Sequence, residues 1–201
     1  MKWRMFSILA ISLSLTAFPA LGVELGVGAK APEFKGLEGV DGKKVSSDDF
    51  KDAKVLIVCF TCNECPVASD YQDRFIEFTK QYKDKGVVFV AVNCNIGMPE
   101  DENLPAMKTR AKEKKFNFPY LFDKTGKLAD DYGAKATPHL FVFDAQRKLQ
   151  YSGAFDDKQN VQKVTKRYLP DAVDAILAGK TPALAKTKAF GCGIHNKPDE
   201  F

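Results

Sequence analysis

Val55-Leu-Ile-Val-Cys-Phe60 is an unbroken apolar run, and two residues later the chain reads Cys62-Asn63-Glu64-Cys65-Pro66. That junction constrains the fold more than any other feature of the sequence. An apolar run without alternation describes a strand buried on both faces, as in a parallel sheet covered by helices. Beyond the cysteines, Val67, Tyr71, Phe75, Phe78 and Tyr82 recur at helical spacing. They form one face of a helix that Pro66 opens and Gly86 ends. A helix N-terminus carries free N–H groups and a partial positive charge, so a thiolate placed there is stabilised and reactive at neutral pH. With two residues between them, the sulfurs lie within disulfide reach and can cycle between dithiol and disulfide by exchange with a substrate. A zinc half-site and an inert disulfide are the other meanings of this spacing. Zinc needs two further ligands. The chain has no second Cys-x-x-Cys, and its 2 histidines are His139 and His195.

Around that junction the periodicities describe one α/β domain with a mixed central sheet flanked by helices. Ala29 to Phe50 reads as an N-terminal β-hairpin extension turning at Asp41-Gly42. Ser46 to Asp49 caps a short helical turn. Val87 to Val92 is a second buried strand, and Asn93 to Asn103 is a polar loop with an acidic patch. Pro105 opens a second helix, with Met107 inward and Lys108, Lys112, Lys114 and Lys115 on a solvated face. Phe118 to Phe122 is a short extended piece. Leu128, Ala129 and Tyr132 fit a short helix ending at Gly133. Leu140–Phe143 and Leu149–Tyr151 form a hairpin that closes the sheet. A last helix runs from about Pro170 to Ala178, and Lys180 to Phe201 is a tail containing Cys192.

Lys2 and Arg4 precede an uncharged, largely apolar stretch to Phe18, followed by Pro19-Ala20-Leu21-Gly22. This is the layout of a secretory signal peptide cut after Gly22. The stretch is short for a membrane span, which needs about 20 residues; an uncleaved N-terminal anchor is the minor alternative. Export to a periplasmic or extracellular compartment, where disulfides form, is expected. The net charge of +4 is too small to suggest a nucleic-acid partner. No stable membrane span is expected once the leader is removed.

The passage from Val55–Phe60 into Cys62-Asn63-Glu64-Cys65-Pro66 resembles the thioredoxin-like redoxins. So does Thr137-Pro138 leading into Leu140–Phe143. Within that superfamily the chain is most similar to the peroxiredoxin-like, AhpC/TSA-related branch with a Cys-Asn-x-Cys-Pro site. Pro119-Tyr120-Leu121, Leu177-Ala-Gly-Lys180 and Gly191-Cys192-Gly193-Ile194 share in the resemblance, which spans Gly26 to Ile194. It implies a thioredoxin-like fold over residues 23–179, a 180–201 tail and thiol–disulfide chemistry without a cofactor or metal. It also implies a cis Thr137-Pro138 peptide beside the cysteines, leaving backbone open to pair with an extended substrate. Protein or small-molecule disulfides and thiols are the implied partners, with an electron donor that the sequence does not identify.

The resemblance leaves two orders of attack. In thioredoxins the first cysteine attacks, here Cys62, and Cys65 resolves; this order is expected. In peroxiredoxins the peroxide-reducing thiol matches Cys65, but their activating Arg falls where this chain has Pro138. A thiol peroxidase is therefore the alternative, and a copper carrier on the same fold ranks third. Glu64, where many relatives have histidine, is expected either to raise the Cys62 pKa or to point into solvent. Cys59 reads as a core residue. Cys94 and Cys192 are read as a second disulfide, or Cys192 as a mobile resolving thiol. His139 faces the sulfurs or is a satisfied core histidine.

Overall fold

The structure is a computed structural model that describes residues 24–96 and 100–196. The leader expected over residues 1–22 lies outside the described residues. No helix among the described residues is long and apolar enough to cross a membrane.

Strands β1 (Leu37–Gly39) and β2 (Lys44–Val45) form the expected hairpin. Gly42 turns it at φ 80°, and the Lys43 N–H donates to Asp41 Oδ1 at 3.1 Å. Then β3 (Val55–Thr61) runs with every residue buried. Helix α1 (Pro66–Tyr82) follows directly and returns the chain to β4 (Val87–Asn93), which lies parallel to β3. Helix α2 (Leu104–Lys114) leads to β5 (Tyr120–Phe122), parallel to β4. Helix α3 (Lys127–Tyr132) leads to β6 (Ala136–Thr137) and then β7 (His139–Phe143), antiparallel to β3. The closing hairpin strand is β8 (Leu149–Gly153), followed by helix α4 (Tyr168–Leu177). The main sheet has the order β2-β1-β5-β4-β3-β7-β8. It is mixed: parallel at its centre, antiparallel at both edges, with the N-terminal hairpin extending one of them.

Alternation along β3 sends its side chains to two cores. Val55, Ile57 and Cys59 pack with the Tyr71, Phe75, Phe78 and Tyr82 face of α1 and with Leu169 and Val173 of α4. Leu56, Val58 and Phe60 pack on the opposite side with Leu128 and Tyr132 of α3. Both faces of the central strand are dry, which is why its sequence shows no alternation. Helix α4 starts two residues before the expected Pro170. That proline sits in the first turn, where a missing N–H costs no intrahelical bond.

Residues 185–196 do not trail away from the domain. The Ser152 N–H donates to Ala185 O and the Thr187 N–H to Ser152 O, both at 3.0 Å. Lys186 Nζ reaches Glu24 Oε2 at 2.9 Å. A last strand, β9 (Cys192–Gly193), pairs antiparallel with β6. Beyond it, Asn196 Nδ2 donates to Gly126 O and Asp130 Oδ1. Gly126, Gly153 and Gly191 admit this segment: at Gly126, φ 67°, a Cβ would stand 2.4 Å from Asn196 O. At Gly153, φ 142°, a Cβ would stand 2.2 Å from Thr187 Oγ1; at Gly191, φ 149°, it would stand 2.0 Å from Thr137 O.

Candidate active site

The end of β3, the start of α1 and the turn between β6 and β7 converge on Cys62 and Cys65. Cys65 is the N-cap of α1: its Sγ accepts from the Ala68 N–H at 3.4 Å, and Pro66 takes the first helical position. The Cys192 N–H also points at Cys65 Sγ, at 3.3 Å. Thr137 touches both sulfurs. Its hydroxyl is 3.2 Å from Cys62 Sγ, and its carbonyl, 3.2 Å from Cys65 Sγ, accepts from that residue in its thiol form. The Thr137-Pro138 peptide is cis. Cys62 and Cys65 are 1% and 3% exposed, while Cys192 beside them is half-buried.

Beneath the cysteine turn lies a carboxylate, Glu102, only 1% exposed. It accepts from the Asn63 N–H at 2.8 Å, the Glu64 N–H at 2.9 Å and Asn93 Nδ2 at 2.7 Å. Asn63 is fixed further: its Nδ2 donates to Asp101 O at 2.7 Å and its Oδ1 accepts from Tyr120 Oη at 3.0 Å. The turn carrying the two sulfurs is thus held from below by β4, β5 and the loop before α2.

These surroundings separate the two thiols. Hydrogen bonds from the Cys62 thiol first, then from the Cys192 thiol and the Ala68 and Cys192 N–H groups, lower the Cys65 pKa to about 4 against the cost of burial. Cys62 is pushed far above the usual thiol range because it donates to Cys65, is buried, and faces the Glu102 carboxylate. Burial in turn raises Glu102. Cys192 is raised to about 11 by partial burial and by its hydrogen bond and proximity to the Cys65 sulfur. The surroundings thus favour the charged form at Cys65 and disfavour it at Cys62 and Cys192.

Residues 27 to 152 match the AhpC/TSA family. The chain belongs to that family. An uncharacterised conserved protein from Geobacillus kaustophilus is 34% identical, with a TM-score of 0.81, over 87% of this chain and 94% of its own. A hypothetical protein from Sinorhizobium meliloti is 32% identical, also with a TM-score of 0.81, over 87% of this chain and 97% of its own. A thiol:disulfide interchange protein of the thioredoxin family from Chlorobium tepidum shares 24% identity at a TM-score of 0.55, over 68% of this chain and 92% of its own. No curated protein matches the chain. The fold of this AhpC/TSA member is thioredoxin-like.

Several sequence expectations for an AhpC/TSA chain take a different form in the structure. Cys62, Cys65, Pro66, Thr137 and Pro138 are brought together. Glu64 is exposed and touches the site through its backbone N–H; the acidic side chain acting on Cys62 is Glu102. Cys94 does not meet Cys192. It is fully buried in the core on the α3 side, whereas Cys192 packs with Cys62, Cys65 and Ala68. Cys59 is a core residue, as expected. His139 turns away from the sulfurs: its Nδ1 accepts from the Lys135 N–H at 3.3 Å and its Nε2 faces Glu24 at 3.9 Å. Burial lowers its pKa to about 4, so it is neutral. Sequence reasoning missed Glu102 and Asn93. The signal was present as an acidic patch directly after a buried strand, at the sheet edge where α/β proteins gather their sites.

Proposed function

We propose that this protein is a thiol–disulfide oxidoreductase whose redox pair is Cys62 and Cys65. The observation that carries this reading is the pairing of a thiol at a helix N-cap, met by the Ala68 and Cys192 N–H groups, with a second thiol beside it, both resting on Thr137. In the reduced protein the Cys65 thiolate attacks one sulfur of a disulfide. A mixed disulfide forms and the first thiolate leaves. Cys62 then attacks Cys65, passing its proton toward the Glu102 carboxylate, and the second thiolate leaves. The protein ends as the Cys62–Cys65 disulfide and the substrate as two thiols. This order is the reverse of the thioredoxin order expected from sequence. Its reason is that the hydrogen-bond donors of the turn converge on Cys65. Export to an oxidising compartment, expected from the leader, fits such chemistry.

A thiol peroxidase reading shares the Cys65 thiolate. Hydrogen bonds, and not a cation, are the principal causes that lower the Cys65 pKa, and the strand entry where peroxiredoxins carry Arg holds Pro138. The test measures reduction of a protein disulfide such as insulin and consumption of hydrogen peroxide, each driven by dithiothreitol. Cys65→Ser is expected to lose disulfide reduction entirely, and Cys62→Ser to stop with Cys65 held in an unresolved disulfide, with the substrate or with Cys192. Peroxide turnover that outpaces disulfide reduction and survives in Cys62→Ser would establish the peroxidase instead.

A further inference from the structure

The edge of β6 in front of Pro138 is where a substrate backbone would be added as an extended strand. In this protein that edge is already paired. Thr137 stands opposite Cys192, and Ala136 opposite Gly193. The approach is built in: Gly191 passes so close to Thr137 that no side chain fits there. The Cys192 N–H lands 3.3 Å from Cys65 Sγ, and its side chain packs against Cys62 and Cys65. Of the three sulfur-bearing residues, Cys192 alone is more than marginally exposed.

We infer that Cys192 is a third redox thiol, held in the position of a substrate cysteine, which forms a disulfide with Cys65 and carries exchange between the buried pair and disulfides in solution. The inference rests on Cys62 and Cys65 being the redox pair. Its steps balance as follows. The Cys192 thiolate attacks an outside disulfide RSSR; a Cys192–SR bond forms and one RS⁻ leaves. The Cys65 thiolate attacks Cys192 Sγ; the Cys65–Cys192 bond forms and the second RS⁻ leaves. Cys62 attacks Cys65 Sγ; the Cys62–Cys65 bond forms and the electron pair departs on Cys192. Two protein thiols are oxidised, RSSR is reduced to two RSH, and Cys192 is regenerated. The proton of Cys62 ends on one RSH; Cys65 starts as a thiolate, so the second RSH takes its proton from the solvent, and the proton that Cys192 gives up on attack returns to it.

The full-length protein, fully reduced, is treated with diamide, alkylated and digested without reductant. Wild type is expected to yield a Cys62–Cys65 cross-link with Cys192 alkylated. Cys62→Ser is expected to yield a Cys65–Cys192 cross-link within one chain. Cys192→Ser should still form Cys62–Cys65 with diamide, while its reduction of oxidised glutathione falls at least tenfold. Failure of Cys62 and Cys65 to link in wild type overturns the redox pair itself. A normal wild-type link, with Cys65 and Cys192 both alkylated in Cys62→Ser, overturns only the third thiol. Unchanged or faster glutathione-disulfide turnover in Cys192→Ser overturns it too, by making the segment a mere cover.

Discussion

At the scale of single residues, Cys62 and Cys65 are distinguished by which one receives hydrogen bonds. Cys65 collects N–H groups from Ala68 and Cys192. At Cys62, donation to Cys65, burial and the Glu102 carboxylate oppose a second negative charge and outweigh the Thr137 hydroxyl, which favours it. The two half-accessible questions, which sulfur is charged and which is reachable, therefore have different answers. Alkylation by iodoacetamide at a range of pH values separates them. The Cys65 rate is expected to stay level from pH 9 down to about 5 and to fall as pH approaches its pKa of about 4. The Cys192 rate should instead climb about tenfold per pH unit through neutrality, toward its pKa of about 11. Mass-resolved peptide labelling reads both; a Cys65 rate that climbs in parallel with Cys192 would show that the thiolate is not held there. The sequence points to a redox pair at these two positions because local spacing alone suggests it, and the structure brings both sulfurs to one turn beside Thr137. The sequence offered Glu64 as a charge acting on Cys62 or as a residue pointing into solvent, and the exposed side chain takes the second form; adjacency in the chain was the only proximity visible. Glu102 reaches the turn across 38 positions, and no local pattern encodes that.

At the scale of elements, the long apolar runs were legible and the short pieces were not. The strand Val55–Thr61 and the helix Pro66–Tyr82 carry enough periodicity to be read directly. The pair Cys192–Gly193 makes a strand only because Ala136–Thr137 offers an edge, and two residues have no period. What did mark the segment was glycine on either side of Cys192, read there as part of a resemblance and not as a docking device. Gly191→Ala puts a methyl group against the Thr137 carbonyl and so cannot leave β9 on β6 undisturbed. Overpacking of this kind costs about 1–3 kcal/mol. The expected outcome is a loss of that size in urea unfolding, together with faster alkylation of Cys65. Gly193→Ala is the control: nothing lies within 4 Å of its added Cβ, and it should stay within about 0.5 kcal/mol of wild type. Equal effects from the two substitutions would refute the close approach as the reason for Gly191.

At the scale of the whole molecule, redox state and stability are linked through Cys65. Its pKa is about 4 in the folded protein against 9.0 for an unperturbed thiol, so the unfolded chain holds the proton more tightly. That thiolate stabilises the folded, reduced protein fully above pH 9, and the contribution is lost as pH falls through about 4. The disulfide form has no such group. Urea unfolding of the reduced and oxidised forms from pH 4.5 to 8.5 should therefore show the reduced form gaining on the oxidised one as pH rises. A constant difference would refute the assignment. A dithiol favoured in this way makes its disulfide the stronger oxidant. The fold class as a whole was legible, since two dry strands joined through helices leave few topologies open. The return of residues 185–196 was not, because it depends on tertiary surfaces that exist only once the sheet has formed. That dependence has a consequence in time. Synthesis runs from the N-terminus, and 39 positions separate Gly153, which completes the main sheet, from Cys192. At about 5–20 residues per second this is an interval of roughly 2–8 s. A chain whose sheet forms within that interval has Cys65 at its strand-to-helix turn with no segment over it. A partner that engages the growing chain meets an uncovered sulfur; one that arrives after release meets Cys192 first.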